Sequence, residues 1–103
     1  MTKLNGHQRK YLRGIAHGLK PLVLIGQKGL TPEVLLSAET ALNDHELIKV
    51  KFVDFKEKDQ KEEIADAIEQ ETASELVGMI GHVAIFYREQ PDPEKRRIEV
   101  PKR

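Results

Sequence analysis

Residues 22–33 read Leu-Val-Leu-Ile-Gly-Gln-Lys-Gly-Leu-Thr-Pro-Glu and predict a strand, a loop and a helix in direct succession. The apolar run of residues 22–25 has the length and the β-branched content of a strand that is covered on both faces. Two glycines then bound the loop of residues 26–29. The closing Thr-Pro-Glu supplies an N-cap hydroxyl, a proline at the first helical position and an acid in the first turn, so a helix is predicted from about Pro32 to Asn43.

The segment before this unit predicts an amphipathic helix. Within residues 4–19 the apolar side chains recur at helical spacing, whereas Arg9, Arg13 and His17 lie four residues apart on another stripe. We therefore expect a helix that has a basic outer face and ends near Gly18.

The segment after the unit predicts one strand, one helix and two further strands. By their hydropathy period these elements fall at residues 46–53, 57–73, 76–80 and 83–88. The helix also carries two pairs of opposite charge at i,i+4 spacing, Glu57–Lys61 and Lys58–Glu62. The element order is α-β-α-β-α-β-β, which predicts a single compact α/β domain built on a four-stranded mixed sheet.

The last thirteen residues differ from the rest in composition. The segment of residues 91–103 contains three prolines and five basic residues. Proline favours extended backbone and removes a hydrogen-bond donor. We therefore expect a domain at residues 1–90 and an extended or mobile tail at residues 91–103.

The composition narrows the classes of function. A chain of 103 residues has room for one domain around one core. The absence of cysteine excludes disulfides, thiol chemistry and thiolate-ligated metal sites. No apolar run is long enough to cross a bilayer, and the N-terminus lacks the apolar core of a leader, so we expect a cytoplasmic protein.

The net charge of zero hides an asymmetry along the chain. The first 32 residues contain no acidic residue and six basic ones, which are Lys3, Arg9, Lys10, Arg13, Lys20 and Lys28. The other residues comprise 11 basic and 17 acidic ones, so the two parts carry +6 and −6. Because a partner senses the local field, this pattern favours a polyanionic partner such as a nucleic acid or a membrane surface.

Residues suited to catalysis or to metal binding are few. The four histidines lie far apart and show no ligand spacing, so no metal site is expected. Neither of the two serines lies in a nucleophile elbow. The acids between Glu62 and Glu71 fit a solvated helix face better than a catalytic carboxylate pair.

The loop Gly26-Gln27-Lys28-Gly29 is the strongest single candidate for a binding site. Two glycines permit a close backbone approach, the helix start offers free N–H groups and Lys28 adds a point charge, all of which suit phosphate. The loop lacks the spacing of a nucleotide-binding P-loop. A bare GxxG is more often an ordinary turn, and in the KH fold such a loop joins two helices instead of following a strand.

Several further motifs stand in a fixed order around this loop. They are Gln8-Arg9, Leu12-Arg13, Lys20-Pro21, the loop extended to Leu30-Thr31, the strand of residues 46–51, Ile80-Gly81-His82 and Tyr87-Arg88. From about Leu4 to Arg88 they resemble the CRM domain (chloroplast RNA splicing and ribosome maturation), in particular its single-domain, YhbY-like bacterial members. The resemblance implies an RNA-binding α-β-α-β-α-β-β fold similar to the C-terminal domain of translation initiation factor three. It also implies association with precursors of the large ribosomal subunit, a role in ribosome assembly and no enzymatic activity.

We interpret the chain as an RNA-binding assembly factor. The expected RNA-contacting residues are Gly26, Gln27, Lys28, Gly29, Arg9, Lys10, Arg13, Lys20, Lys49 and Lys51. We expect a monomer that binds ribosomal RNA, with no cofactor, no metal, no membrane contact and no small-molecule substrate. Two alternatives stay open: a protein-interaction adaptor that uses the acidic helix of residues 57–73, and a small enzyme acting on a phosphoryl ligand. A solvated surface is also the alternative for the arginines and for the two strand lysines.

Overall fold

The computed structural model describes residues 3–55 and 57–102, which form three α-helices and four strands. Helices α1 to α3 span Gly6–Ala16, Pro32–His45 and Lys58–Thr72, and strands β1 to β4 span Val23–Ile25, Leu47–Phe52, Glu75–Ile80 and Val83–Tyr87. The α-β-α-β-α-β-β order predicted from the sequence is confirmed. None of these helices is long and apolar enough to cross a membrane.

Side-chain caps fix where α1 and α2 begin. The Gln8 N–H donates to Asn5 Oδ1 at 2.8 Å and the Asn5 N–H donates to Gln8 Oε1 at 2.9 Å, which closes a capping box. Thr31 Oγ1 accepts the Val34 N–H at 3.1 Å, as its N-cap position predicts. Helix α2 runs two residues beyond its predicted end and stops at Glu46, whose φ of 65° is left-handed.

The four strands form one mixed sheet in the order β1-β2-β4-β3. Strand β1 pairs parallel to β2, and the other two pairings are antiparallel. The prediction that β1 is covered on both faces is wrong. Val23 and Ile25 are 3% and 0% exposed, but Leu24 between them is 59% exposed. Strand β1 lies at the edge of the sheet, and α1 packs over β2 and β3 on the face to which Leu24 belongs.

The two faces of the sheet bury separate apolar clusters. On one face α2 and α3 cover the alternate residues Ile48, Val50 and Phe52 of β2. On the other face α1 packs Leu12 and Ala16 against a smaller group of sheet residues that includes Leu47, Val77, Ile85 and Tyr87. Burial raises the pKa of Tyr87 to about 12, with Glu46 and Glu89 acting in the same direction. The smaller cluster does not cover the whole α1 side of the sheet, where Leu24, Lys51 and Ile80 are exposed.

The segment after β4 is docked onto the domain. The buried carboxylate of Glu46 accepts the N–H groups of Gln90, Arg97 and Ile98 at 2.8, 2.6 and 2.9 Å. Ile98 and Val100 pack against the cluster beneath α1. The chain is extended from Arg96, which is one of the two forms expected for the tail, and these contacts hold residues 97–100 against the domain. Arg103 lies outside the described residues.

Helix α3 uses its basic side chains differently from the sequence prediction. Neither of the predicted i,i+4 pairs forms an ion pair within the described residues. Lys61 is instead buried, and its Nζ donates to the carbonyl oxygen of Gly81 at 2.7 Å and lies 3.3 Å from Nδ1 of His82. Lys61 therefore ties α3 to the turn between β3 and β4.

Candidate nucleic-acid interface

The loop Gly26-Gln27-Lys28-Gly29 forms a tight turn directly after β1. The Gly29 N–H donates to the Gly26 carbonyl oxygen at 3.0 Å, which places Gln27 and Lys28 at an exposed tip. The φ of Gly29 is +71°, and a Cβ there would lie 3.4 Å from Cε2 of Phe55. A Cβ on Gly26 would meet no described atom within 4 Å. Gly29 is thus needed for the turn itself, whereas Gly26 leaves open space beside the backbone.

The N-terminus of α2 offers fewer free amides to an anion than the sequence predicts. Pro32 has no N–H, while Val34 donates to Thr31 Oγ1 at 3.1 Å and Leu35 donates to the Thr31 carbonyl oxygen at 3.0 Å. Glu33 also places an exposed carboxylate in the first turn, where it offsets the positive end of the helix dipole. Lys28 and the loop backbone are therefore the groups here that suit phosphate.

Arg9 and Lys10 of α1 differ in what they contact. Lys10 is exposed to solvent. Arg9 Nη2 lies 2.8 Å from Oε2 of Glu75, whose two oxygens also accept the Leu4 N–H at 3.0 Å each. Glu75 is buried, so Arg9 balances a charge that has been removed from water. The ion pair between Arg9 and Glu75 could not be predicted from the sequence, because the two residues are 66 positions apart.

Arg13 crosses β3 at a β-bulge. Its Nη1 donates to the carbonyl oxygen of Val77 at 3.3 Å. The register of β3 shifts between Leu76 and Gly78, and a Cβ on Gly78 would lie only 2.9 Å from Cδ of Arg13. The missing side chain of Gly78 therefore makes the room in which the arginine lies.

Cations of α1 and of β2 converge beside this bulge. Arg13, His17 and Lys49 line one cavity of about 130 Å³ together with apolar side chains of β3 and β4. Lys49 Nζ donates to the Leu19 carbonyl oxygen at 3.0 Å, which holds the lysine near the end of α1. The structure thus brings together Arg13 and Lys49, two of the predicted site residues, and adds His17.

An open row of four residues crosses the sheet from this cavity, which two of its members line, to the edge strand that precedes the loop. It consists of Leu24, Lys51, Val83 and Ile80, each opposite the next in the strand register. Leu24 and Ile80 are 59% and 62% exposed, and Lys51 is exposed between them. Sequence patterning identified Lys51 but missed the three apolar members, because the face of an edge strand depends on pairings that hydropathy does not reveal.

The strand register orders the candidate residues along the sheet. The row of Glu75, Tyr87 and Leu47 is followed by the row of Gly78, Ile85 and Lys49, and then by the open row. Along β2 and β4 neighbouring rows are separated by two residues, or about 7 Å, and the bulge adds one residue between the first two rows on β3. Lys49 lies in the middle row, and Arg13 of α1 contacts Gly78 of the same row. Arg9 contacts Glu75 in the first row, which is the farthest from the loop, because the loop follows β1 beyond the open row. Lys20 is exposed after α1.

The two faces of the sheet carry helices of opposite charge. Helix α1 contains three basic residues and no acidic one. Helix α3, on the other face, contains six acidic and two basic residues. The asymmetry along the sequence therefore becomes an asymmetry across the sheet.

Comparison with known proteins identifies the family. The sequence model of the CRS1 / YhbY (CRM) domain matches residues 4–88, which is most of the chain. The chain belongs to the CRM domain family. A protein of Haemophilus influenzae named "RNA-binding protein" is 43% identical to this CRM protein over 103 residues, covering all of both chains.

Other relatives extend over nearly the same length. One of Pseudomonas aeruginosa, named "Probable RNA-binding protein", is 42% identical over 92 residues, covering 89% of this chain and 88% of its own. The solution structure of a hypothetical protein from Staphylococcus aureus superimposes with a TM-score of 0.81 at 34% identity, covering 96% of this chain and all of that one. The CRM fold expected from the sequence motifs is confirmed.

Proposed function

We propose that this CRM protein binds RNA on the α1 side of its sheet, from the loop of residues 26–29 across the open row to the cavity beside Arg13. The convergence of Arg13, His17 and Lys49 carries the proposal, because it joins cations of two elements beside exposed Lys51. Closely placed cations on an open surface suit a phosphate backbone. The names of the relatives support RNA as the polyanion.

The candidate residues divide into two groups within this interface. Lys10, Lys20, Lys28 and Lys51 are exposed. In contrast, Arg9, Arg13 and Lys49 each make a hydrogen bond or ion pair within the domain. The exposed lysines can move to meet phosphates. Arg13 and Lys49 are instead held in place beside the cavity by their hydrogen bonds, and they present a fixed pattern of charge. Arg9 contributes mainly to stability, because it neutralises Glu75.

The aliphatic members of the open row indicate how the RNA is read. None of the four is aromatic, so base stacking of the RRM type has no platform there. Leucine and isoleucine side chains can instead lie against ribose and base edges while Lys51 meets the backbone. Recognition then follows RNA shape more than base sequence.

We further infer that the RNA is ribosomal RNA in a precursor of the large subunit, and that the protein acts as a monomer in ribosome assembly without catalysing a reaction. This finer assignment rests on the CRM resemblance. Crosslinking in cells followed by sequencing of the bound RNA tests it directly. Reads spread evenly over messenger RNA would overturn the ribosomal assignment while leaving RNA binding intact.

The salt dependence of affinity tests the interface. For a structured ribosomal RNA fragment, log affinity should fall with log salt at about −0.7 per phosphate neutralised on single strands, so four or five contacts give a slope of roughly −3. Lys28→Ala and Arg13→Ala together should make the slope shallower by about one unit or more. The matched control is Lys58→Ala, an exposed lysine on α3 across the sheet.

Two results would contradict the proposed interface. The first is an unchanged affinity in the Lys28→Ala, Arg13→Ala double variant with a native circular dichroism spectrum. The second is an equal loss in the Lys58→Ala control. If the adaptor alternative holds, protein purified at low salt carries no RNA, and its ratio of absorbance at 260 and 280 nm does not change on a high-salt wash.

A further inference from the structure

A cavity of about 340 Å³ opens where the end of α1, the start of β1 and the docked tail meet. Its apolar walls include Leu19, Leu22 and Ile98, and Lys20, His45 and Arg97 add basic side chains. This volume falls at the lower end of the range for ligand pockets, roughly 300–1,000 Å³. An apolar cavity with basic groups at its edge suits a flat apolar ring attached to an anion.

The tail wall of this cavity is held in place by buried polar contacts. Glu46 Oε1 accepts the N–H groups of Arg97 and Ile98, and the Arg97 Nε donates to the Asp44 carbonyl oxygen at 2.7 Å. Gln90 Nε2 donates to the Asn43 carbonyl oxygen at 2.7 Å. The wall is therefore formed before any ligand arrives, which lowers the entropy cost of binding.

The side chains that line the cavity favour an anionic ligand. Among the described residues, its lining contains a lysine, an arginine and a histidine, and no carboxylate. Leu22 also connects the cavity to the proposed interface, since its N–H donates to the carbonyl oxygen of Lys49 at 3.1 Å. A polyanion bound along Lys49 and Lys51 of β2 therefore extends to the mouth of the cavity.

We propose that this cavity takes one unpaired nucleobase of the bound RNA, with Lys20 and Arg97 meeting the phosphates on either side. The inference rests on the proposed function. An unstacked base offers two apolar faces, which fit between the leucines and Ile98, and guanidinium and imidazole groups are known stacking partners of such bases. Arg97 and Ile98 lie beyond the CRM match, so the tail completes a site that the matched domain alone leaves open.

Three RNA duplexes test the proposal. The first carries a single bulged 2-aminopurine, the second has an abasic ribose at the bulge, and the third is fully paired. Wild-type protein should bind the bulged base about tenfold more tightly than the abasic bulge, within the range measured for base stacking. The 2-aminopurine fluorescence should change as the protein saturates.

Two exposed leucines provide a matched pair of variants. Leu22→Gln, at 52% exposure inside the cavity lining, should remove the tenfold preference for the base. Leu36→Gln, at 67% exposure on α2, lies outside that lining but in a neighbouring cavity that Leu22 also lines, and it should keep the preference because the base does not bind there. Circular dichroism of both variants checks that the fold is intact.

The outcomes separate this inference from the proposed function. Equal affinity for the base and the abasic bulge, with a normal salt slope, overturns the base site and leaves RNA binding standing. A preference that survives Leu22→Gln also overturns it, because the base is then read elsewhere. If none of the three duplexes binds at low salt, RNA binding and the base site both fail.

Discussion

The two glycines of the loop have different physical roles. Gly29 adopts a left-handed φ, which costs a residue with a side chain about 1–2 kcal/mol. Gly29→Ala should lower the free energy of unfolding by about that amount in urea denaturation. Gly26→Ala should leave stability within about 0.5 kcal/mol, because its Cβ enters open space.

The RNA affinity of the Gly26→Ala variant shows whether residues 26–29 form only a turn or also bind RNA. If RNA backbone passes close to Gly26, the added methyl in Gly26→Ala should weaken RNA binding although stability is unchanged. Filter binding of the structured RNA fragment measures this effect. Full affinity in a stable Gly26→Ala variant would mean that the first glycine serves neither the fold nor the RNA.

Gly78 and Arg13 form a second pair whose coupling can be measured. Gly78→Ala should destabilise the domain by about 1–3 kcal/mol, because its Cβ would fall 2.9 Å from Arg13 Cδ. Arg13→Ala in the same chain should relieve most of that loss. A double-mutant cycle by urea denaturation should therefore give a coupling energy within about 0.5–3 kcal/mol, and additive effects would show that the arginine does not occupy this space.

At the scale of elements, local sequence signals located the helices well. The Thr31 cap is formed as predicted, and the apolar period placed α3 within a residue of its ends. These signals work because caps and helical stripes depend on neighbours within one or two turns. The exposure of Leu24 was missed because it depends on which helix covers which part of the sheet, a long-range property.

The docked tail was missed for a related reason. Its prolines and charges resemble a solvated linker, and its anchor, Glu46, reads in the sequence as an ordinary surface acid. Only the fold shows that Glu46 is buried and faces three backbone amides of residues 90–98. Similarly, the tight turn of residues 26–29 could be predicted, but the pairing of Arg9 with Glu75 could not.

Glu46→Gln should release this tail. A charged acceptor contributes about 1.5–3 kcal/mol per hydrogen bond, and the amide nitrogen of glutamine cannot accept a backbone N–H. We expect lower stability and faster trypsin cleavage after Arg96 and Arg97. Glu99→Gln, an exposed acid of the same segment, is the control. Equal cleavage rates for both variants and wild type would show that Glu46 does not hold the tail.

For the whole molecule, the zero net charge is the sum of two oppositely charged sides. Helix α1 and the cations of β2 lie on one face of the sheet, and the acids of α3 lie beyond the other. Packed layers are spaced about 10 Å apart, so the two helices are separated by roughly 20 Å. RNA bound on the α1 side is then repelled by the acids of α3 only through long-range electrostatics, which salt screens.

The triple variant Glu62→Gln, Glu63→Gln, Asp66→Asn tests this separation, since all three acids are exposed on α3. The Debye length is about 30 Å at 0.01 M salt and about 8 Å at 0.15 M. Repulsion across roughly 20 Å therefore acts at the lower concentration and is screened at the higher one. We expect a severalfold gain in RNA affinity at 0.01 M salt and none at 0.15 M, measured by filter binding. A gain that persists at 0.15 M would show that RNA contacts α3 directly, which would place the interface on the opposite face of the sheet.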